Sequence, residues 1–79
     1  MDPRSSLTER LAKSVQTAMV AAGYNAKTLA PVCGIPYTTL FRRLAGHSPF
    51  NTAELDQVST ALDTTPMDLM RAAEAMAAA

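Results

Sequence analysis

The chain has 79 residues, room for one domain with a modest core, because a domain of this size buries roughly 60% of its unfolded surface. Its formal net charge is zero, and 48% of its residues are hydrophobic but only two Tyr and two Phe are aromatic, so the core must be built from Leu, Val, Ile, Met and Ala, a composition that favours helix. A single Cys excludes an intrachain disulfide and a Cys-rich metal site; Arg4, Glu9, Arg10 and Lys13 interrupt any membrane span or signal-peptide core near the start, so an intracellular, cytoplasmic protein is expected.

Asp2-Pro3 is one helix-start signal, but Ser6 followed by Glu9 forms a capping box and predicts a first helix over 7–22. Leu7, Leu11, Val15, Ala18, Met19 and Ala22 make its apolar stripe, with Arg10, Lys13 and Gln16 off it. Gly23 is a natural stop, and Tyr24 packs back on the core or reaches a phosphate. A second helix is expected over 26–33, with Asn25 as N-cap and Leu29, Ala30 and Cys33 inward. Pro31 conflicts with a regular helix from residue 26, since a proline there removes one backbone bond and crowds the carbonyl of Lys27, at a cost of about 3 kcal/mol. Capping by Thr28 would relieve this, so a short or distorted first turn is expected.

Gly34 suits a left-handed turn, Ile35 can plug the corner, and Pro36 fits a first helical position. The third helix, over 36–45, buries Leu40 and Leu44 and ends at Gly46. After the polar loop His47-Ser48-Pro49, Phe50 and Leu55 form a hydrophobic staple around a capping box of Asn51 and Glu54, opening a helix over 51–62 that buries Leu55, Val58 and Leu62. Thr65-Pro66-Met67-Asp68 starts a last helix over 66–77, carrying Leu69, Met70, Ala73 and Met76 before Ala77-Ala78-Ala79. The fold class is therefore all-α, a compact bundle of about five helices forming a single domain over 1–79.

Two short helices joined by a glycine turn make a helix-turn-helix, whose second helix enters the DNA major groove. With Leu40 and Leu44 inward and about 100° per residue, Thr38 and Arg42 point outward, Thr39 and Arg43 lie on one flank and Phe41 on the other. Hydroxyls and two forked cations are the groups that read base edges and clamp phosphates. The charge is segregated accordingly: residues 1–24 carry net +1, 25–50 net +3 and 51–79 net −4.

Leu29-Ala30, Gly34-Ile35, Thr38-Thr39-Leu40, Arg42-Arg43-Leu44 and Gly46 together resemble the lambda-repressor-like, Cro/C1-type (XRE) helix-turn-helix family. Ser48-Pro49-Phe50, Glu54-Leu55 and Ala61-Leu62 extend the likeness to a variant common in actinobacteria and their phages, over about residues 7–70. The resemblance implies a five-helix domain that binds operators as a dimer. Tyr37, Thr38 and Arg42 match positions that contact bases, and Asn25, Lys27, Thr39, Arg43, His47 and Ser48 match positions that hold phosphates.

The leading expectation is a sequence-specific regulator of double-stranded DNA, of phage or mobile-element repressor or Cro-like type, and not an enzyme: His47 is the lone His, Cys33 reads as core filler, and the acids are dispersed. Neither cofactor, metal nor small-molecule ligand is expected. Phe41 either touches thymine methyls and sugars or covers the turn. The Met67, Met70, Ala73, Met76 stripe either completes the core or supplies a weak or DNA-induced homodimer interface. The alternative function is a protein-interaction module on the same fold, binding a host factor or a toxin.

Overall fold

The structure, a computed structural model, describes residues 6–78. The start signal at Asp2-Pro3, the charge of Arg4 and the last residue, Ala79, lie outside the described residues. Within them are five helices: α1 (Leu7–Ala21), α2 (Ala26–Cys33), α3 (Tyr37–Leu44), α4 (Thr52–Ala61) and α5 (Pro66–Ala78). Helix ends differ from the sequence reading by at most one residue. The differences are mostly caps, which are half in and half out of a helix: Ala22, Pro36, Ala45, Asn51 and Leu62 flank helices rather than belong to them. Pro36 is thus the N-cap of α3, extended at ψ 140°, and not its first helical residue.

The caps follow from local chemistry. Ser6 accepts from the Glu9 amide, Asn51 and Glu54 satisfy one another's backbone N–H groups, and the Thr65 hydroxyl accepts from the Asp68 amide at 3.1 Å. The start of α2 corrects the expected distortion. Asn25 is the cap, its side-chain oxygen accepting from the Thr28 amide at 3.0 Å while the Thr28 hydroxyl accepts from the Asn25 amide at 2.8 Å. Thr28 is therefore the third residue of a closed capping box, and α2 runs from Ala26 through Pro31 without a shortened first turn. Pro31 is exposed, and so is Lys27, whose carbonyl loses its helical donor. Water can serve that carbonyl, so the missing bond is tolerated.

Leu11, Val15, Met19, Leu29, Ala30, Cys33, Ile35, Leu40, Leu44, Leu55, Val58, Leu69 and Ala73 form one continuous core, with Tyr24, Phe50, Leu62 and Met70 packed at its margin. Leu7 and Ala22, expected on the α1 stripe, are exposed, whereas Ala12 and Ser14 are buried. The Ser14 hydroxyl donates to the Leu69 carbonyl at 2.8 Å, and Arg10 Nε donates to the Ala73 carbonyl at 3.2 Å, so α1 and α5 lie antiparallel and cover one side of the bundle. On α5, Leu69 and Ala73 are buried, Met70 and Met76 are half-buried, and Met67 is exposed. The stripe of α5 thus faces the core in its middle and leaves Met67 outside.

α2 and α3 meet at Cys33-Gly34-Ile35-Pro36. Gly34 sits at φ 78°, donating its amide to the Ala30 carbonyl at 3.0 Å, and Ile35 is buried in the corner. A Cβ at Gly34 would meet only the Gln57 amide nitrogen at 3.6 Å, ordinary contact, so a substitution there strains the backbone alone. Gly34→Ala is expected to cost about 1 kcal/mol, a fall of roughly 4–8 °C in Tm. A thermal melt followed by circular dichroism checks this; an unchanged midpoint would mean that the corner does not depend on its left-handed residue.

Candidate nucleic-acid interface

α3 is the most strongly two-faced element of the chain. Leu40 and Leu44 are buried in the core, and opposite them Thr38 and Arg42 are exposed. Tyr37 is exposed at the N-terminal end of the helix. The three residues expected to read bases are all exposed; Thr38 and Arg42 share the outer face, and Tyr37 stands at the N-terminal end on the Phe41 side. Arg42 has no acidic partner among the described residues, so its guanidinium keeps its full hydrogen-bonding fork.

Phe41 lies on one flank and is 52% exposed, with its ring centroid 6.0 Å from that of Tyr37 and the rings tilted by 46°. Of the two readings of Phe41, cover over the turn is the one its exposure disfavours. Phe41 shares a shallow groove with Ala26, Met19 and the exposed Val20, which brings the start of α2 beside the flank of α3. At that start Lys27 is exposed, and the side-chain oxygen of Asn25 is engaged by its own cap.

On the opposite flank Thr39 is half-buried and Arg43 is held internally. Arg43 Nε donates to Glu54 Oε1 at 2.8 Å, Nη2 donates to Oε2 at 3.3 Å, and Nη1 donates to the Ser48 hydroxyl. This paired fork joins α3 to the start of α4, with side chains only 22% and 12% exposed. His47 is exposed in the loop between them, its amide donating to the Arg42 carbonyl at 3.1 Å. The sequence reading missed Glu54 as a partner of this face. It also left Gln16 off the α1 stripe, yet the Gln16 side-chain amide donates to the Leu44 carbonyl and secures the last turn of α3 from α1.

The hydrogen bond from Arg43 holds the Glu54 carboxyl below its ordinary 4.5; burial opposes this, and the Asn51 amide adds to it. The same contact raises the Arg43 guanidinium above its ordinary value. A carboxylate with a lowered folded-state pKa stabilises the fold above its unfolded value, and that stability is lost as pH falls through the folded value. The wild-type Tm is therefore expected to drop on acidification below about pH 4.5, with part of that drop missing in Glu54→Gln. Melts at pH 6, 4 and 3 measure it; identical acid profiles for the two proteins would show that the pair contributes nothing.

Among the described residues every buried side-chain nitrogen or oxygen has a hydrogen-bond partner, no group of three or more His, Cys, Asp or Glu is placed to hold a metal ion, and no helix is long and apolar enough to cross a membrane. Cys33 is a buried free thiol.

Two crystal structures of the clp gene regulator ClgR from Corynebacterium glutamicum share the fold. The first superposes with a TM-score of 0.87 at 20% sequence identity, over 94% of this chain and 79% of that one. The second gives a TM-score of 0.85 at 19% identity, over 92% of this chain and 95% of that one. No curated protein matches the chain by sequence. The family model described as the BetR domain aligns with residues 2–79, and on that match over nearly the whole length the chain belongs to the BetR domain family.

Proposed function

We propose that this protein is a sequence-specific regulator that binds double-stranded DNA by inserting α3 into the major groove. The observation that carries the reading is the outer face of α3: Thr38 and Arg42 stand exposed opposite a buried Leu40 and Leu44, Arg42 without an acidic partner among the described residues, and Tyr37 is exposed at the N-terminal end of this second helix of a helix-turn-helix. The fold shared with a protein named as a clp gene regulator supports it, as does the resemblance to the Cro/C1-type family, which favours a phage or mobile-element repressor or Cro-like role. Arg42 pairs with a guanine edge, and Tyr37 and Thr38 choose neighbouring bases. Asn25, Lys27, Thr39 and His47 hold phosphates and set register; Arg43 and Ser48, expected with them, are engaged by Glu54 or by each other.

One recognition helix reads few base pairs, so an operator needs two, about 34 Å apart, with the protomers joined weakly or only on DNA through α5, where Met67 is exposed. The regulator works in the cytoplasm, on DNA, without a cofactor or catalytic step. A second reading, docking of another protein, is favoured by the exposed Tyr37, Phe41 and Val20.

Fluorescence anisotropy with fragments of the source genome near the gene, at two salt concentrations, decides between them. A regulator gripping four to five phosphates gives one tight fragment and a log–log salt slope of about −4. Absence of any fragment preference, even at low salt, would reject the DNA reading in favour of protein docking.

A further inference from the structure

An acidic residue at the edge of a DNA-facing surface is a liability unless it has a task. Glu54 has three donors around it: Arg43 Nε at 2.8 Å, Arg43 Nη2 at 3.3 Å and the Asn51 amide at 3.1 Å. The Asn51 bond ties the carboxylate to the start of α4, and the Arg43 bonds tie it to the last turn of α3. Through Nη1 the same guanidinium holds Ser48, in the loop that links the two helices. On the far side, Gln16 holds the carbonyl of Leu44. The C-terminal half of α3 is thus gripped from α1 and from α4 by side chains, while its outer face stays open.

We propose that Glu54 is a positioning residue for DNA recognition: it keeps Arg43 as an internal brace that sets the pose of α3, so that Arg43 does not serve as a phosphate contact. This rests on the DNA-binding reading above. Three of the five guanidinium N–H groups of Arg43 are committed, leaving one on each terminal nitrogen. A forked grip on a phosphate through Nε and Nη2 would require leaving the carboxylate, which would strand a largely covered anion close to the DNA backbone. Arg43 also points about 100° away from Arg42 around the helix, toward α4 rather than along the open face. Held in this way, the pair presents no net charge to DNA, and the charged phosphate grip of this face falls to Lys27.

The two roles predict opposite signs. If Arg43 braces α3, Glu54→Gln and Arg43→Ala each weaken binding to the preferred genomic fragment by a similar factor, about 5–20-fold, with the salt slope unchanged. The double variant is then no worse than either single one, because the two residues act as one unit. Lys27→Ala, by contrast, lowers the slope by about one, as loss of a phosphate contact does. If Arg43 grips phosphate, Arg43→Ala lowers the slope by about one, and Glu54→Gln binds as well as wild type or better, having freed a cation and removed an anion; that result would overturn the brace. Gln at position 54 still suits a capping box, so α4 survives the test. A second readout needs no DNA: the Nε–H signal of Arg43 in nitrogen–proton NMR spectra, slow to exchange in the free protein, is expected to broaden in Glu54→Gln and to stay in place when DNA is added. Rapid exchange of that signal in the wild-type protein would overturn the clamp even if no fragment bound, an outcome that separately rejects the DNA reading.

Discussion

Arg42→Ala is expected to weaken binding to the preferred operator by about 1–3 kcal/mol, some 5- to 150-fold, and to relax specificity at one base pair while leaving weaker sequences nearly unaffected. The size follows from exposure and the lack of an internal partner together. Arg42 lies opposite the buried Leu40 and Leu44 and has no carboxylate partner among the described residues, so its fork is not spent inside the protein. A side chain that only gripped phosphate would instead weaken all sequences alike, the result expected of Lys27→Ala. Anisotropy titrations of both variants against the operator and against single-base changes separate the two patterns, and equal loss on every sequence for Arg42→Ala would remove it from base reading.

The larger effect belongs to the inner face of the same helix. Leu40 is 0% exposed, and Leu40→Ala is expected to cost about 3–5 kcal/mol. A domain of this length has roughly 4–12 kcal/mol in all, so Tm should fall by about 12–40 °C, and DNA binding should disappear well below the wild-type melting range. Val32→Ala, on an exposed position of α2, serves as the contrast and should stay within about 0.5 kcal/mol. Comparable melting of the two variants would mean that α3 is not seated as its burial indicates.

Much of this arrangement is written in local sequence. The helix-turn-helix corner is legible because Gly34, Ile35, Leu40 and Leu44 act over distances of a few residues, and the caps at Ser6, Asn25, Asn51 and Thr65 are legible for the same reason. The brace was not. Glu54 has a complete local explanation in its capping box with Asn51, and that explanation hides the bonds it also makes to Arg43, 11 residues away across a loop. Gln16 and Ser14 were missed because polarity argues against an inward position; both are seated by backbone carbonyls of distant helices, Leu44 and Leu69, which periodicity does not register. Pro31 misled in the other direction. Its penalty is real, but Asn25 and Thr28 close the start of α2 so completely that the helix forms through it.

The antiparallel seating of α1 on α5 has a topological consequence. Residue 10 meets residue 73 and residue 14 meets residue 69, so the path of the chain leaves one corner of the bundle, travels through the corner between α2 and α3 and returns to where it began. α2 and α3 are, in effect, the far arc of a ring whose clasp is non-covalent. Closing that clasp takes chain entropy that grows only slowly with the size of the ring. A short covalent tether between the outer ends of α1 and α5 would remove that entropy from the unfolded state and leave the face of α3 untouched.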